Sequence, residues 1–146
     1  MFLVADSGHG RLIKPHIDFL NAHDLPVYST SRILNTNFEK IKDQDLQDIR
    51  FPEMDWLVDR SHSMSVLQQK IEPGKDDRFQ RIFAMGVDSY NVISYLHALR
   101  ENSDARYHGV TSVMGVDESG VVYRNPSWAQ FKDGAAKIIS SDIVLN

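Results

Sequence analysis

A chain of 146 residues, 42% hydrophobic and 25% charged, is long enough to bury about two-thirds of its unfolded surface as one domain. Its formal net charge of −4, with the basic residues scattered among acids, argues against a nucleic-acid face, which needs clustered cations. The absence of cysteine excludes disulfides, thiolate metal sites, a cysteine nucleophile and a lipidated cysteine within these residues.

Met1-Phe2-Leu3-Val4-Ala5-Asp6 has no basic lead and too few apolar residues for a signal peptide or a spanning helix. Phe2 to Ala5 reads as a buried strand beginning with no lead-in, as expected of the tail of a longer protein. Asp6-Ser7-Gly8-His9-Gly10 follows as a small-residue loop. Apolar residues at Leu12, Ile13, Ile17 and Leu20 then predict a helix from Arg11 or Leu12 to about residues 21–23, with Pro15 tolerated near its first turn. Val27 to Thr30 is a second strand, set parallel to the first by a right-handed crossover.

Residues 35–48 are polar and aperiodic, a surface loop with at most one helical turn. Ile49-Arg50-Phe51 is a short strand stopped by Pro52, and residues 53–59 form an irregular crossing segment. A short helix spans Ser63 to Lys70, capped by Ser61 or Ser63. Glu72-Pro73-Gly74-Lys75 is a turn, after which Asp76 or Asp77 caps the helical run that leads into residues 81–100.

That stretch organises the chain. Apolar residues at 82, 85, 92, 93, 96 and 99, widened by 83, 87 and 90, follow the helical period. At about 1.5 Å per residue it is a rod of roughly 30 Å, expected to lie largely buried against the sheet of early strands. Gly86 marks either a close backbone contact or a break in the helix, since glycine costs about 1 kcal/mol against alanine there. From His108 onward the pattern is antiparallel β. Residues 108–116 pair with 121–124 across Asp117-Glu118-Ser119-Gly120, a type I turn extended by a left-handed residue. Ser127 to Lys132 alternates, and Asp133-Gly134 signals a hairpin that closes the meander at residues 137–139. The fold class is α/β, a parallel sheet flanked by helices with a C-terminal antiparallel segment.

Asp6 to Gly10 lies between a strand and a helix, where α/β proteins place ligands. Its glycines could hold an anion through helix N–H groups, or could be a plain βα turn. Ser29-Thr30-Ser31-Arg32 offers hydroxyls and a guanidinium for a carboxylate; alternatively those hydroxyls satisfy their own backbone. Asp88 on the central helix could pair with Arg32 or with the helix dipole, or be structural. Ser7, Ser31, Arg32 and Asp88 are therefore the candidate cleft. The six histidines show no metal-ligand spacing, so no metal site is expected. No feature activates a serine, so no catalytic residue is assigned and a hydrolase using Ser7 with a histidine is the weakest reading. No cofactor is called for.

Four blocks carry a family resemblance. They are Leu12-Ile13-Lys14-Pro15, residues 27–32 (Val-Tyr-Ser-Thr-Ser-Arg), residues 81–88 (Arg-Ile-Phe-Ala-Met-Gly-Val-Asp), and Gly109-Val110-Thr111 with residues 125–134. In this order and spacing the chain resembles the C-terminal region of LppC/LpoA-type lipoproteins, outer-membrane activators of a bifunctional penicillin-binding protein. The resemblance implies lobes like those of type I periplasmic binding proteins, with the chain as a C-terminal fragment of a two-lobed domain in segments 1–53, 54–105 and 106–146. It implies a non-enzymatic role in peptidoglycan synthesis at the periplasmic side of the outer membrane, with no direct membrane insertion by this segment. The alternative it leaves open is a lobe that binds an amino-acid-like solute. Apolar faces left uncovered by the absent part of that domain lead to the expectation of a homodimer or strand exchange.

Overall fold

The computed structural model describes residues 1–20, 25–35, 44–59, 61–69 and 76–139. The expected end of the first helix at 21–23, most of the polar loop and the turn at 72–75 lie outside the described residues. The chain divides into two compact units, Met1–Glu53 with Trp128–Asn146, and Met54–Ser127.

The first unit is built on a five-stranded mixed sheet in the order β1 (Phe2–Leu3), β2 (Tyr28–Ser29), β3 (Arg50–Glu53), β7 (Ser127–Lys132) and β8 (Ala135–Ile138). Strand β1 (Phe2–Leu3) pairs in parallel with β2 (Tyr28–Ser29), and β2 in parallel with β3 (Arg50–Glu53). Helix α1 (Ser7–Leu20) makes the crossover from β1 to β2. It starts at Ser7, four residues before the expected Arg11, because Asp6 caps it: the His9 N–H donates to Asp6 Oδ1 at 2.9 Å and the Gly10 N–H to the Asp6 carbonyl at 2.8 Å. Pro15 consequently sits mid-helix rather than near the first turn.

Gly10 has a packing role. A Cβ there would lie 2.4 Å from Ile33 Cδ1 and 3.2 Å from Leu46 Cδ2, so the helix rests on these two buried side chains through a bare backbone. Residues 31–33 form a 3₁₀ turn, and residues 44–46 another. Pro52 lies inside β3 instead of ending it.

β7 (Ser127–Lys132) lies beside β3, and the Phe51 and Phe131 rings meet at 4.9 Å between centroids in the core. The Phe131 N–H donates to the Ile49 carbonyl and the Asp48 N–H to the Phe131 carbonyl, with Asp48 at φ 68°. β7 turns into β8 (Ala135–Ile138) through Asp133 and Gly134 at φ 54° and 71°, the two positive values of a type I′ hairpin.

In the second unit, β4 (Tyr107–His108), β5 (Val113–Val116) and β6 (Val122–Asn125) form a three-stranded antiparallel sheet. The expected single meander is thus divided at Pro126, with residues 107–125 in this sheet and β7–β8 in the other. The β5–β6 turn follows expectation: Asp117 Oδ1 accepts from the N–H groups of Ser119 and Val121, and Gly120 has φ +83°. The segment after β3, expected to be irregular, contains the single-turn helix α2 (Asp55–Val58) with Trp56, Leu57 and Val58 buried. Ser61 caps α3 (His62–Gln69) through the Met64 N–H at 3.4 Å.

The central helix is α4 (Asp77–Val92), capped by Asp76 at 2.8 Å from the Phe79 N–H. It continues through a 3₁₀ turn at Ile93–Tyr95 into α5 (Leu96–Glu101). It belongs to the second unit, where it packs on α2, whereas the early strands expected to cover it belong to the first unit. Nor is it largely buried: its inner face is Asp77, Ala84, Asp88 and Val92, while Ile82, Tyr90 and Ile93 are 71%, 79% and 65% exposed. Gly86 neither breaks the helix nor meets a neighbour; a Cβ there would find nothing within 4 Å. The core of this unit gathers Val92, Leu99 and Val116, with Leu96, Tyr107 and Val122 against them.

Candidate functional site

Because β1 and β2 run in parallel with Leu3 beside Ser29, the residues that follow each strand emerge at one edge of the first sheet. Ser7 opens α1 there and is buried. Ser31 begins the 3₁₀ turn and is half-buried, and the neighbouring Arg32 is exposed. Three of the four candidates therefore share the carboxyl edge of two adjacent parallel strands, the usual ligand position of the architecture.

The polar groups of that edge divide into engaged and available ones. The Ser29 hydroxyl donates to the Leu3 carbonyl at 2.8 Å and so fastens β2 to β1. The Thr30 hydroxyl is buried with no hydrogen-bond partner among the described residues. At the α1 N-terminus the anion is the chain's own Asp6. Its carboxyl is held below the usual carboxylate value of 3.8, first by the His9 N–H and then by the His9 ring, whose Nδ1 lies 3.0 Å from both carboxylate oxygens. With Asp6 in that position and Gly10 packed on Ile33, the glycines of this segment serve the helix start and its packing.

Asp88 lies in the second unit, fully buried on α4. Its carboxylate accepts from the N–H groups of Val110 and Thr111, both at 2.8 Å, and from the Thr111 hydroxyl. Gly109 makes this approach possible, since a Cβ there would fall 2.4 Å from Asp88 Oδ2. The same loop accepts, through the carbonyls of Thr111 and Val110, the N–H groups of Asp55 and Trp56 at 3.0 and 2.8 Å. Asp88 is thus the post to which the 109–111 loop and, through it, α2 are tied. Asp55 is half-buried beside it, and its carboxyl is pushed up chiefly by desolvation, against a hydrogen bond with Ser127.

Two concavities had no signal in sequence. One, of about 430 Å³, opens at the amino ends of β2 and β3, away from the candidate edge, and is lined by Lys14, Asp18, Asp48, Arg50 and Gln130 among others. Lys14 is buried there and paired with Asp18 one turn along α1. The other, of about 390 Å³, lies in the second unit between Arg100 on α5 and the Asp117–Gly120 turn. Among the described residues no group of three or more histidines, acids or cysteines is disposed to hold a metal ion, and no helix is long and apolar enough to cross a membrane.

Comparison with known proteins follows the same outline. Residues 1–134 match the LppC putative lipoprotein family. The penicillin-binding protein activator LpoA of Vibrio cholerae is 28% identical over 133 residues, which are 89% of this chain and 22% of that protein. The activator of the same name from Photobacterium profundum is 27% identical over 135 residues, 90% of this chain and 22% of the relative. The chain therefore spans about a fifth of the length of these relatives.

Among solved structures, the LpoA (YraM) C-domain of Haemophilus influenzae, titled a regulator of PBP1A, superposes with a TM-score of 0.76 at 23% identity. The match covers 95% of this chain and 44% of that domain. A putative branched-chain amino acid ABC transporter protein of Chromobacterium violaceum gives 0.61 at 22% identity, over 86% and 40% of the two chains. The fold is that of the LpoA C-domain and of periplasmic-binding-protein-like transporter components.

Proposed function

This chain belongs to the LppC lipoprotein family, and on that premise we propose that it is a non-enzymatic regulatory module that contacts a bifunctional penicillin-binding protein in peptidoglycan synthesis. The observation that carries the reading is the extent of the family match, which takes in both compact units rather than one motif. Relatives sharing this stretch bear the name of penicillin-binding protein activators. The side chains support it as well. Asp88 holds backbone donors of a loop, and Asp6 caps a helix, so these acids do structural work rather than wait on a substrate. In this reading the chain acts at the periplasmic side of the outer membrane, within a two-lobed domain to which segments 1–53, 54–105 and 106–146 contribute. Its outward apolar residues promote self-association.

The test is binding of the purified chain to an immobilised bifunctional penicillin-binding protein, together with glycan polymerisation and cross-linking from lipid-linked precursor. Saturable binding with increased turnover is expected. No binding up to roughly 100 μM and no change in turnover would remove the proposal.

A second reading, a lobe for an amino-acid-like solute, is favoured by one observation: the unpartnered Thr30 hydroxyl beside Ser31 and Arg32 on the edge shared with Ser7. A solute carboxylate would take the Arg32 guanidinium and the Thr30 hydroxyl. Calorimetric titration with branched-chain amino acids separates the two readings. Heat that disappears in Arg32→Ala supports solute binding, and absence of heat in the unaltered chain rejects it.

A further inference from the structure

The outer face of α4 has an order that its inner face lacks. Taking Gly86 as origin, Ile82 and Tyr90 stand four residues before and after it, and Phe79 and Ile93 seven before and after. All four are exposed, at 43% for Phe79 and 65–79% for the others, and Ile93 keeps helical angles of φ −53° and ψ −43°, so the stripe is unbroken. At its centre Gly86 leaves open space where a side chain would project. Four large apolar residues are therefore placed symmetrically about Gly86, with the less exposed Phe83 and Met85 beside this stripe.

From this arrangement we propose that the α4 face is an isologous interface at which a second copy of this chain docks its own α4 antiparallel, the two helices crossing at Gly86. The proposal rests on the reading that the chain self-associates and names the surface. An identical antiparallel helix places Ile82 of one copy against Tyr90 of the other and Phe79 against Ile93, twice over, as a two-fold axis through Gly86 requires. A partner of unrelated sequence has no reason to match that symmetry. Small residues at a crossing point let ridges of neighbouring side chains interlock at short interaxial distance.

Large side chains present on the order of 150–250 Å² each, so the observed exposures leave roughly 500 Å² of apolar side chain per copy. The flanking polar turns then bring the patch toward the about 800 Å² per partner of a stable interface.

The absence of cysteine makes the test direct. Gly86→Cys adds a thiol where the fold has room, and in the dimer the two thiols face each other across the axis. Mild oxidation should give a covalent dimer of the full 146-residue chain. Ile82→Glu or Tyr90→Glu should raise the dimer dissociation constant in sedimentation about tenfold or more with unchanged far-ultraviolet circular dichroism. Phe19→Glu, at an 88% exposed apolar residue of the other unit, should leave the dimer intact.

A dimer that resists both charged variants of α4 and does not cross-link through position 86 retains self-association and overturns this interface. A chain that is monomeric at every concentration overturns both. Cross-linking of position 86 instead to a separately supplied remainder of the LpoA C-domain overturns the second copy in favour of that occupant.

Discussion

Removing the Asp88 carboxylate should loosen the second unit more than any other single polar change. In Asp88→Ala the N–H groups of Val110 and Thr111 lose the acceptor they meet at 2.8 Å, and the Thr111 hydroxyl loses its partner. Thr111 is buried, and each unsatisfied buried donor costs about 1–3 kcal/mol, so the change should cost about 3–5 kcal/mol. That is a large share of the total stability of about 5–15 kcal/mol expected for a domain. Asp88→Asn keeps one acceptor oxygen but turns an amide donor toward the other N–H, and should cost about half as much.

Gly109→Ala attacks the same contact from the other side, because its Cβ would meet Asp88 Oδ2 at 2.4 Å. The two substitutions should therefore couple, the penalty of Gly109→Ala falling by about 1–2 kcal/mol once residue 88 is alanine. Urea unfolding gives the totals, and hydrogen exchange at residues 110 and 111 localises the effect. An Asp88→Ala protein within about 1 kcal/mol of the parent, with exchange at those two amides unchanged, would refute the reasoning.

Other consequences concern single groups. Gly10→Ala should destabilise by about 1–3 kcal/mol, because its Cβ falls 2.4 Å from Ile33 Cδ1. Gly86→Ala, measured where the chain is monomeric, should stabilise by about 1 kcal/mol, because its Cβ meets nothing; chemical denaturation of the pair gives both signs. Asp6 has a lowered folded pKa, so its contribution is present above the ordinary value of 3.8 and is lost as pH falls through the lower folded value. The His9 amide shift should titrate with a midpoint below 3.8, and Asp6→Asn should abolish that step. Asp55 is the opposite case. Its folded pKa is raised, so stability falls as pH rises from 3.8 through the folded value. Asp55→Asn should then be more stable than the parent at neutral pH and flatter in its pH profile, and a less stable variant there would count against desolvation as the dominant cause.

What was legible in the sequence was chiefly local. The Asp133-Gly134 hairpin, the Asp117–Gly120 turn and the caps at Ser61 and Asp76 are each decided within a few residues, by backbone angles and one side-chain acceptor. The parallel pairing of β1 and β2 followed from the strand–helix–strand order. The start of α1 was obscured because glycines at 8 and 10 read as loop, whereas Gly10 is glycine to let the helix pass over Ile33, which lies 23 residues away in the chain. The placement of β7 beside β3 is a pairing across nearly 80 residues, and only Pro126 hinted that the β segment would be divided. Ser7, Ser31 and Arg32 could be placed on one edge because the architecture puts strand ends there. The engagement of Asp88 with the 109–111 loop could not, because nothing at position 88 names its partner.

The central helix shows why a period alone misleads about burial. Hydrophobic spacing tells which residues share a face, and the usual rule assigns the apolar face to the core. Here that rule fails twice. α1 buries Ser7, Gly10, Lys14 and Ile17 and turns Leu12 and Phe19 outward. α4 buries Asp77, Ala84, Asp88 and Val92 and exposes Ile82, Tyr90 and Ile93. An inner face of small and polar groups is tolerable only if the polar ones are satisfied, as Asp88 is by Val110 and Thr111, and Lys14 by Asp18. With the inner side met largely by such residues, each helix leaves most of its large apolar side chains outward. The period of α1 and α4 therefore tells which residues share a face, while the buried side is decided by which small and polar groups find room and partners there.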